Sequence, residues 1–246
     1  CLHSPQLRPA LAGTKARAIY ILNEHPEGLE RAWLDEADLA AIERNYGMLA
    51  GARQMRVTSA AGTDLTIDLT GQVPGRVTGV VDKPGTFGHW PGGLVLTYPA
   101  ANAVNGRIVV DVGDINCTFK RYNDAPMTLV IENDVITQVI GDGVDAALFR
   151  EYSAAWNEVN ALTTAHFGWG MNPRAKWEAL ACYDKADTNC IEARAFAGNF
   201  LVGIGANGVA KRLTQNHFDI PLRNTTVQID DTVVVDCGKL CFPAVR

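Results

Sequence analysis

The sequence predicts an α+β or mixed α/β fold in which a largely antiparallel, glycine-rich β region is flanked by helices. Two segments, residues 35–53 and 144–163, repeat apolar residues at helical spacing, while residues from 55 onward alternate with a period of two. Seven glycines fall between residues 71 and 93, which indicates tight turns or close backbone approach. Because the strands are grouped rather than interleaved with helices, a series of βαβ units is not predicted.

In the first third of the chain, residues 18–22 form a short apolar run that predicts a strand. The segment 35–53 predicts an amphipathic helix, capped by Asp35 or Asp38. Its apolar positions follow at steps of three and four: Leu39, Ile42, Tyr46 and Leu49.

The middle of the chain predicts a series of short strands. Residues 55–69 form a hairpin whose turn lies at residues 61–64. Further strands are predicted at residues 94–97, 108–112, 127–131 and 135–140, and the last two are joined by a turn at 132–134.

Three more elements are predicted towards the end of the chain. They are a helix at residues 144–163, a shorter helix at 190–199 and a hairpin at 226–235 around Asp230 and Asp231.

Composition excludes two classes of partner. The chain has a net charge of −5 with no long Lys/Arg run, so a nucleic-acid footprint is not expected. It also lacks a stretch of about 18 apolar residues, so no membrane span is expected. With no signal-peptide pattern, we expect a cytoplasmic protein.

Six cysteines, at positions 1, 117, 182, 190, 237 and 241, match no common zinc-binding spacing. We expect mostly reduced thiols. In an oxidising compartment the candidate pairs would be Cys182 with Cys190, or Cys237 with Cys241.

Three residues predict a metal site. His217 and Asp219 stand two positions apart, and His166 lies 51 residues earlier in a chain with only five histidines. Two imidazoles and one carboxylate form the ligand set that binds one face of a non-haem metal ion and leaves the other face open. The spacing is equally compatible with purely structural roles.

Several segments resemble the thermophilic metallo-aminopeptidases of the aminopeptidase T and S type. They occur in the family's order and together span roughly residues 40–235: residues 56–65, 87–94, 104–111, 166–173 and 205–230. The resemblance implies an aminopeptidase T-like catalytic domain and a homo-oligomer. It also implies that residues 1–246 are a single catalytic domain, with the family's N-terminal domain absent from this chain.

The departures from that family concern its metal ligands. One expected glutamate falls on Leu94, another on His166, and an expected histidine falls near Leu201. A leucine cannot bind a metal, so the two-ion peptidase site cannot be assembled in the family's way. His166, His217 and Asp219 remain, which is enough for one ion.

That altered set resembles a subgroup with the same fold, the 2,5-dihydroxypyridine 5,6-dioxygenases of nicotinate and nicotine degradation. The resemblance implies one Fe(II), held by His166, His217 and Asp219, with O2 as co-substrate. It implies oxidative cleavage of a small hydroxylated aromatic or heterocyclic ring, since ring and O2 both need the open face of the metal.

Two further histidines are candidates for acid–base roles. His89, in a glycine-rich segment, lies near a ligand position of the peptidases, and it would hydrogen-bond or deprotonate a ring hydroxyl. The alternative is an exposed loop histidine. In the dioxygenase-like interpretation, His3 would be a second acid–base group.

Four residues are candidates for contact with the substrate. Trp169 and Phe218, together with Phe167, flank the predicted ligands, so they either wall an aromatic pocket or belong to the core. Arg174 either pairs with a substrate carboxylate or is an ordinary surface charge. Leu201 would make one wall apolar, which favours a natural substrate other than 2,5-dihydroxypyridine.

Three hypotheses about function follow. The first is an Fe(II)-dependent, ring-cleaving dioxygenase. The second is a hydrolase that keeps one metal ion and uses water as nucleophile. The third is an inactive relative of the peptidases that acts in binding or assembly.

Overall fold

A computed structural model of the chain describes residues 7–244. The elements in chain order are α1 (Leu7–Leu11), β1 (Arg17–Ile21), α2 (Pro26–Arg31), α3 (Glu36–Gly51), β2 (Gln54–Ser59), β3 (Asp64–Asp68), β4 (Val73–Val77), β5 (Thr86–Trp90), β6 (Leu94–Tyr98), β7 (Val104–Val110), β8 (Ile115–Asn116), β9 (Arg121–Tyr122), β10 (Met127–Glu132), β11 (Val135–Ile140), α4 (Val144–Ala155), β12 (Thr164–Gly170), α5 (Ala179–Cys182), a 3-10 turn (Lys185–Asp187), α6 (Ile191–Ala195), β13 (Phe200–Asn207), β14 (Arg212–Leu222), β15 (Thr225–Ile229), β16 (Thr232–Asp236) and β17 (Lys239–Leu240).

Two large sheets carry most of the strands. The eight-stranded sheet has the order β11-β10-β7-β3-β2-β15-β16-β17, and the five-stranded sheet has the order β14-β13-β12-β6-β4. Neighbouring strands pair antiparallel in both sheets. Two small sheets, parallel β1-β5 and antiparallel β8-β9, complete the described part. The predicted mixed α/β class with a largely antiparallel β region is confirmed.

One hydrophobic core joins both large sheets. Its buried side chains come from the eight-stranded sheet, from the five-stranded sheet and from α3 and α4, and include Val57, Leu65, Ile67, Phe167, Trp169, Phe200, Phe218, Ile42 and Phe149. Burying such a side chain contributes about 1.5–3 kcal/mol, so the core holds the two sheets in a fixed relation.

Helix α3 agrees with its predicted span. Asp35 caps it: its side chain accepts from the backbone N–H of Asp38, and the Asp38 side chain accepts from the N–H of Asp35. This reciprocal arrangement satisfies two donors that the helix leaves free, so Asp35, rather than Asp38, is the first cap. Among residues 7–244 no helix is long and apolar enough to cross a membrane.

The two later helices are shorter than predicted. Helix α4 ends at Ala155 instead of residue 163, and Asn157 takes a positive φ of 48° that ends the helical path. Helix α6 is five residues long and begins after Cys190, which has a φ of 58°. The predicted hairpins at 55–69 and 226–235 are confirmed as β2-β3 and β15-β16.

Candidate metal centre

The five-stranded sheet places His166 and Asp219 in one row, with Gly203 between them. His166 of β12 pairs with Gly203 of β13, and Gly203 pairs with Asp219 of β14. Paired residues point to the same face of a sheet, and two strand spacings separate the outer residues by about 10 Å. The two side chains therefore converge over β13, and Nε2 of His166 lies 3.1 Å from Oδ1 of Asp219.

Glycine in β13 makes this convergence possible. A Cβ atom at Gly203 would lie 2.3 Å from two atoms of the His166 ring, so the ring occupies the space of the missing side chain. Gly205, which pairs with His217, has a φ of +122°, and a Cβ there would lie 2.2 Å from the carbonyl oxygen of Asn216. Strand β13 thus presents bare backbone beneath the predicted ligands.

His217 reaches the same carboxylate from β14 itself. It stands two residues before Asp219, so both side chains leave the same face of the strand. Its Nε2 lies 3.2 Å from Oδ2 of Asp219, and its ring is 5.9 Å from that of His166 between centroids. The side chain of His217 is 51% exposed against 12% for His166 and 7% for Asp219, so the cluster opens to solvent on the His217 side.

A cation that the sequence did not reveal completes the cluster. Arg194 of α6 donates from Nε to Oδ2 of Asp219 at 2.6 Å, and from Nη1 to the carbonyl oxygen of Asn189. No motif identified this arginine, because its partner is 25 residues away and α6 is only five residues long.

The charges around Asp219 keep it ionised. Burial raises the pKa of this carboxyl group, but the guanidinium of Arg194 and the imidazoles of His217 and His166 outweigh it and hold the pKa well below its usual range. The same carboxylate raises the pKa of His217, against an opposing effect of burial.

The donor set fits one metal ion. Oδ1 of Asp219 is buried and accepts no hydrogen bond of good geometry, although Nε2 of His166 lies 3.1 Å away. A buried acceptor without a donor is rare, and a cation would satisfy it. Within residues 7–244 no three such side chains are already arranged around a common metal position, and the imidazoles contact the carboxylate directly. Two imidazole nitrogens and one carboxylate oxygen suit a divalent transition metal.

An apolar floor lies beside the cluster on the same sheet. Leu201 stands two residues before Gly203, so its side chain shares the face of the predicted ligands. It is buried against Leu94 and Leu96, and these three residues form the apolar floor. Tyr98 packs at its edge and places its ring 5.7 Å from the ring of His166. Contact between Leu201 and a substrate stays a prediction.

Two predicted pocket residues point the other way. Trp169 alternates with His166 along β12, and Phe218 stands between His217 and Asp219 on β14, so both side chains face the opposite side of the sheet. Both are fully buried in the main core, and Nε1 of Trp169 donates to Asn45 at 3.3 Å. The pocket role predicted for Trp169 and Phe218 is therefore corrected to the core role that was its alternative.

Arg174 is occupied within the fold. Its guanidinium donates to both carboxylates at the start of α3, Asp35 and Asp38, and lies 4.2 Å over the ring of Trp33. It joins the segment after β12 to the cap of α3, so neither alternative predicted for it, a substrate carboxylate or a plain surface charge, describes its contacts.

Of the two acid–base candidates, one lies in a different sheet from the predicted metal ligands. His89 is on β5, in register with Tyr20 of β1, and its ring is 5.3 Å from that of Tyr20 and 5.0 Å from that of Phe87. His3 lies outside the described residues.

The cysteines in the described part are free thiols. Neither predicted pair is formed. The close contact is instead between Cys117 and Cys190, since Sγ of Cys117 lies 3.9 Å from the carbonyl oxygen of Cys190.

Comparison with known proteins identifies close relatives. A family model described as NicX, 2,5-dihydroxypyridine 5,6-dioxygenase, matches residues 1–242. The 2,5-dihydroxypyridine 5,6-dioxygenase of Pseudomonas putida KT2440 is 39% identical over 246 residues, which cover 98% of this chain and 69% of the relative.

Two solved structures extend the comparison. The structure of 2,5-dihydroxypyridine dioxygenase from Pseudomonas putida KT2440 superposes with a TM-score of 0.93 at 38% identity, covering 99% of this chain and 70% of that one. Wild-type AmpT from Thermus thermophilus superposes with a TM-score of 0.59 at 15% identity, covering 87% and 57% of the two chains. The second likeness concerns the fold alone, and it agrees with the aminopeptidase T-like architecture.

Proposed function

The chain belongs to the NicX family of 2,5-dihydroxypyridine 5,6-dioxygenases, and on this premise we propose that His166, His217 and Asp219 hold the single Fe(II) of a ring-cleaving dioxygenase. The observation that carries the proposal is the meeting of two imidazoles and one carboxylate over Gly203, with the two Nε2 atoms 3.1 and 3.2 Å from the carboxylate oxygens. Iron bound there would let the ring and O2 react at its open face.

The chain's own residues have separate roles in this proposal. Asp219 supplies the negatively charged ligand, and Arg194 fixes the orientation of its carboxylate through a hydrogen bond to Oδ2. His217, exposed on one side, marks the face by which substrate and O2 enter. The apolar floor of Leu94, Leu96 and Leu201 packs against the flat ring and excludes water from it.

The substrate in this proposal is a small hydroxylated pyridine or a similar aromatic ring. The family relationship supports 2,5-dihydroxypyridine as the substrate. The resemblance described above implies a place in nicotinate degradation. Leucine at position 201 offers no hydrogen bond to a ring heteroatom, which favours a ring whose edge at this wall is apolar. Arg174 is not assigned to the substrate, because its guanidinium already binds two carboxylates.

Proton transfer from the ring hydroxyl is assigned to His89 and His3. An imidazole can take such a proton near neutral pH, provided that it comes within hydrogen-bond reach of the hydroxyl. His89 lies on β5 against Tyr20 and Phe87, which limits the motion of its ring. Separate glutamine variants of the two histidines would show which one controls the acid limb of the pH–rate profile.

The experiment that tests the function starts from protein purified without oxygen. Its metal content is measured, Fe(II) and 2,5-dihydroxypyridine are added, and O2 uptake is followed together with the ring absorbance. One iron per chain, O2 consumption and loss of ring absorbance support the proposal. Hydrolytic activity with bound zinc or cobalt and no O2 uptake would favour the hydrolase, and a protein that binds no metal would favour the binding-protein hypothesis.

We further propose a cytoplasmic homo-oligomer. Light scattering coupled to size exclusion measures the mass in solution, and a mass of one chain at micromolar concentration would reject the oligomer.

A further inference from the structure

The two oxygens of Asp219 have different partners. Oδ2 accepts a hydrogen bond from Nε of Arg194 at 2.6 Å and lies 3.2 Å from Nε2 of His217. Oδ1 is buried and accepts no hydrogen bond of good geometry, and Nε2 of His166 lies 3.1 Å from it. The guanidinium therefore holds one oxygen of the carboxylate, while the other oxygen faces the imidazole of a proposed metal ligand.

Contacts that do not involve Asp219 fix the position of Arg194. Glu24 accepts at Oε1 from the backbone N–H groups of Asn189 and Ile191, both at 3.1 Å, and so holds the start of α6. Glu192, on α6 itself, pairs with Arg31 and accepts from the N–H of Lys176. Helix α6 is thus anchored to the chain before α3 and to the segment after β12, and its arginine is positioned before any ligand arrives.

We propose that Arg194 is a positioning residue that makes Asp219 a one-oxygen metal ligand. By occupying Oδ2, the guanidinium leaves only Oδ1 for the metal, and it fixes the plane of the carboxylate towards His166. The inference rests on the proposed metal ligands. Arginine suits this task better than lysine, because its planar fork holds both Asp219 and the carbonyl oxygen of Asn189.

The second consequence of Arg194 concerns charge. The charges of the Asp219 carboxylate and the Arg194 guanidinium cancel, so a divalent ion held here by imidazole ligands would keep its full charge of +2. That charge would attract a ring substrate in its anionic form.

The test uses Co(II) as a spectroscopic probe, under anaerobic conditions, in the wild type, Arg194→Gln and Arg194→Lys. Visible absorption of Co(II) weakens as coordination number rises, so it reports whether one or both carboxylate oxygens bind. We expect weaker bands and a 10- to 100-fold loss of Co(II) affinity, about the effect of losing such an outer partner, in Arg194→Gln. Arg194→Lys keeps the charge but not the fork, and we expect it to change the spectrum in the same direction.

The matched control is Arg174→Gln. It removes an arginine of the same 18% exposure from its two carboxylates at the start of α3, and it touches neither α6 nor Asp219. Unchanged Co(II) affinity and spectrum in this variant, with altered values in both Arg194 variants, support the inference. A wild-type spectrum in Arg194→Gln, or equal changes in Arg174→Gln, overturns it while leaving the metal ligands intact. A wild type that binds no Co(II) overturns the proposed metal site itself.

Discussion

The imidazole of His166 lies directly on the backbone of Gly203, where two ring atoms stand 2.3 Å from the position of a Cβ. Glycine is required at position 203 because the His166 ring on the next strand leaves no space for a side chain. The backbone conformation does not require it, since the φ of Gly203 is not in the left-handed region. The site exists because one strand contributes no side chain.

Replacing Gly203 by alanine is therefore expected to displace His166 and reduce metal affinity by about 10- to 100-fold, as for the loss of other supporting contacts. Calorimetric titration with Co(II) measures the effect. The matched control is Gly208→Ala, in the loop after β13, where a Cβ meets nothing within 4 Å. Equal affinities for wild type and Gly203→Ala would show that the ring has another position from which it binds.

His217→Ala is expected to abolish metal binding and O2 uptake while changing stability by less than about 0.5 kcal/mol, because the side chain is half exposed. Asp219→Asn is expected to abolish metal binding as well, but it leaves the charge of Arg194 unpaired in a buried position and costs about 3–5 kcal/mol. Metal analysis and thermal unfolding of both variants separate the two effects. Full activity in either variant would refute the ligand assignment.

Leu201→Ala is expected to raise the KM for the ring substrate by about tenfold, since the apolar floor loses its central side chain. Stability should fall by about 2–5 kcal/mol because Leu201 is 2% exposed. Leu65→Ala, fully buried in the other large sheet, controls for the stability loss. The same rise in KM in both variants would mean that Leu201 acts only through folding.

Asp114 gives a prediction about pH that does not depend on the metal. Burial raises the pKa of this carboxyl group to about 7, although its oxygens accept from the N–H groups of Arg223 and Asp111, both at 2.7 Å. Between the ordinary value of 3.8 and about 7, the folded state holds a proton that the unfolded state has lost. The free energy of unfolding should therefore fall as pH rises through this window, by on the order of a few kcal/mol.

Urea unfolding of the wild type and of Asp114→Asn at several pH values measures this effect. The asparagine side chain does not titrate, so this contribution to the pH dependence is absent from the variant. The free energy of unfolding of the wild type minus that of the variant should therefore fall as pH rises from 4 towards 7. A difference that is independent of pH would show that Asp114 titrates alike in both states.

Elements with one exposed face could be predicted from the sequence, whereas in the sheet that carries the candidate site β6 was predicted and the three strands beside the ligands were not. Strand β3 alternates buried and exposed residues, which gives the period of two, and the same holds for β2. Strands β12 and β13 are buried on both faces, so their residues show no alternation. The ligands were predicted from residue types and a resemblance, whereas Arg194 depends on a long-range contact that no local pattern encodes.

The roles of Trp169 and Phe218 could not be predicted for a related reason. Nearness in sequence to His166 and Asp219 suggests nearness in space, but adjacent residues of a strand point to opposite faces. Once β12 and β14 are known to be strands, both aromatic side chains are assigned to the core instead of the pocket.

The anchoring of α6 has a consequence for truncated or circularly permuted variants of this protein. Glu24 binds the N–H of Asn189 across 165 positions of the chain, and Arg31 reaches Glu192 across 161. A truncation that begins at residue 36, or a circular permutation that moves this segment, would keep both large sheets yet release the helix that carries Arg194. We expect such a protein to bind the proposed metal ion poorly, so screens of shortened libraries should score metal retention rather than solubility.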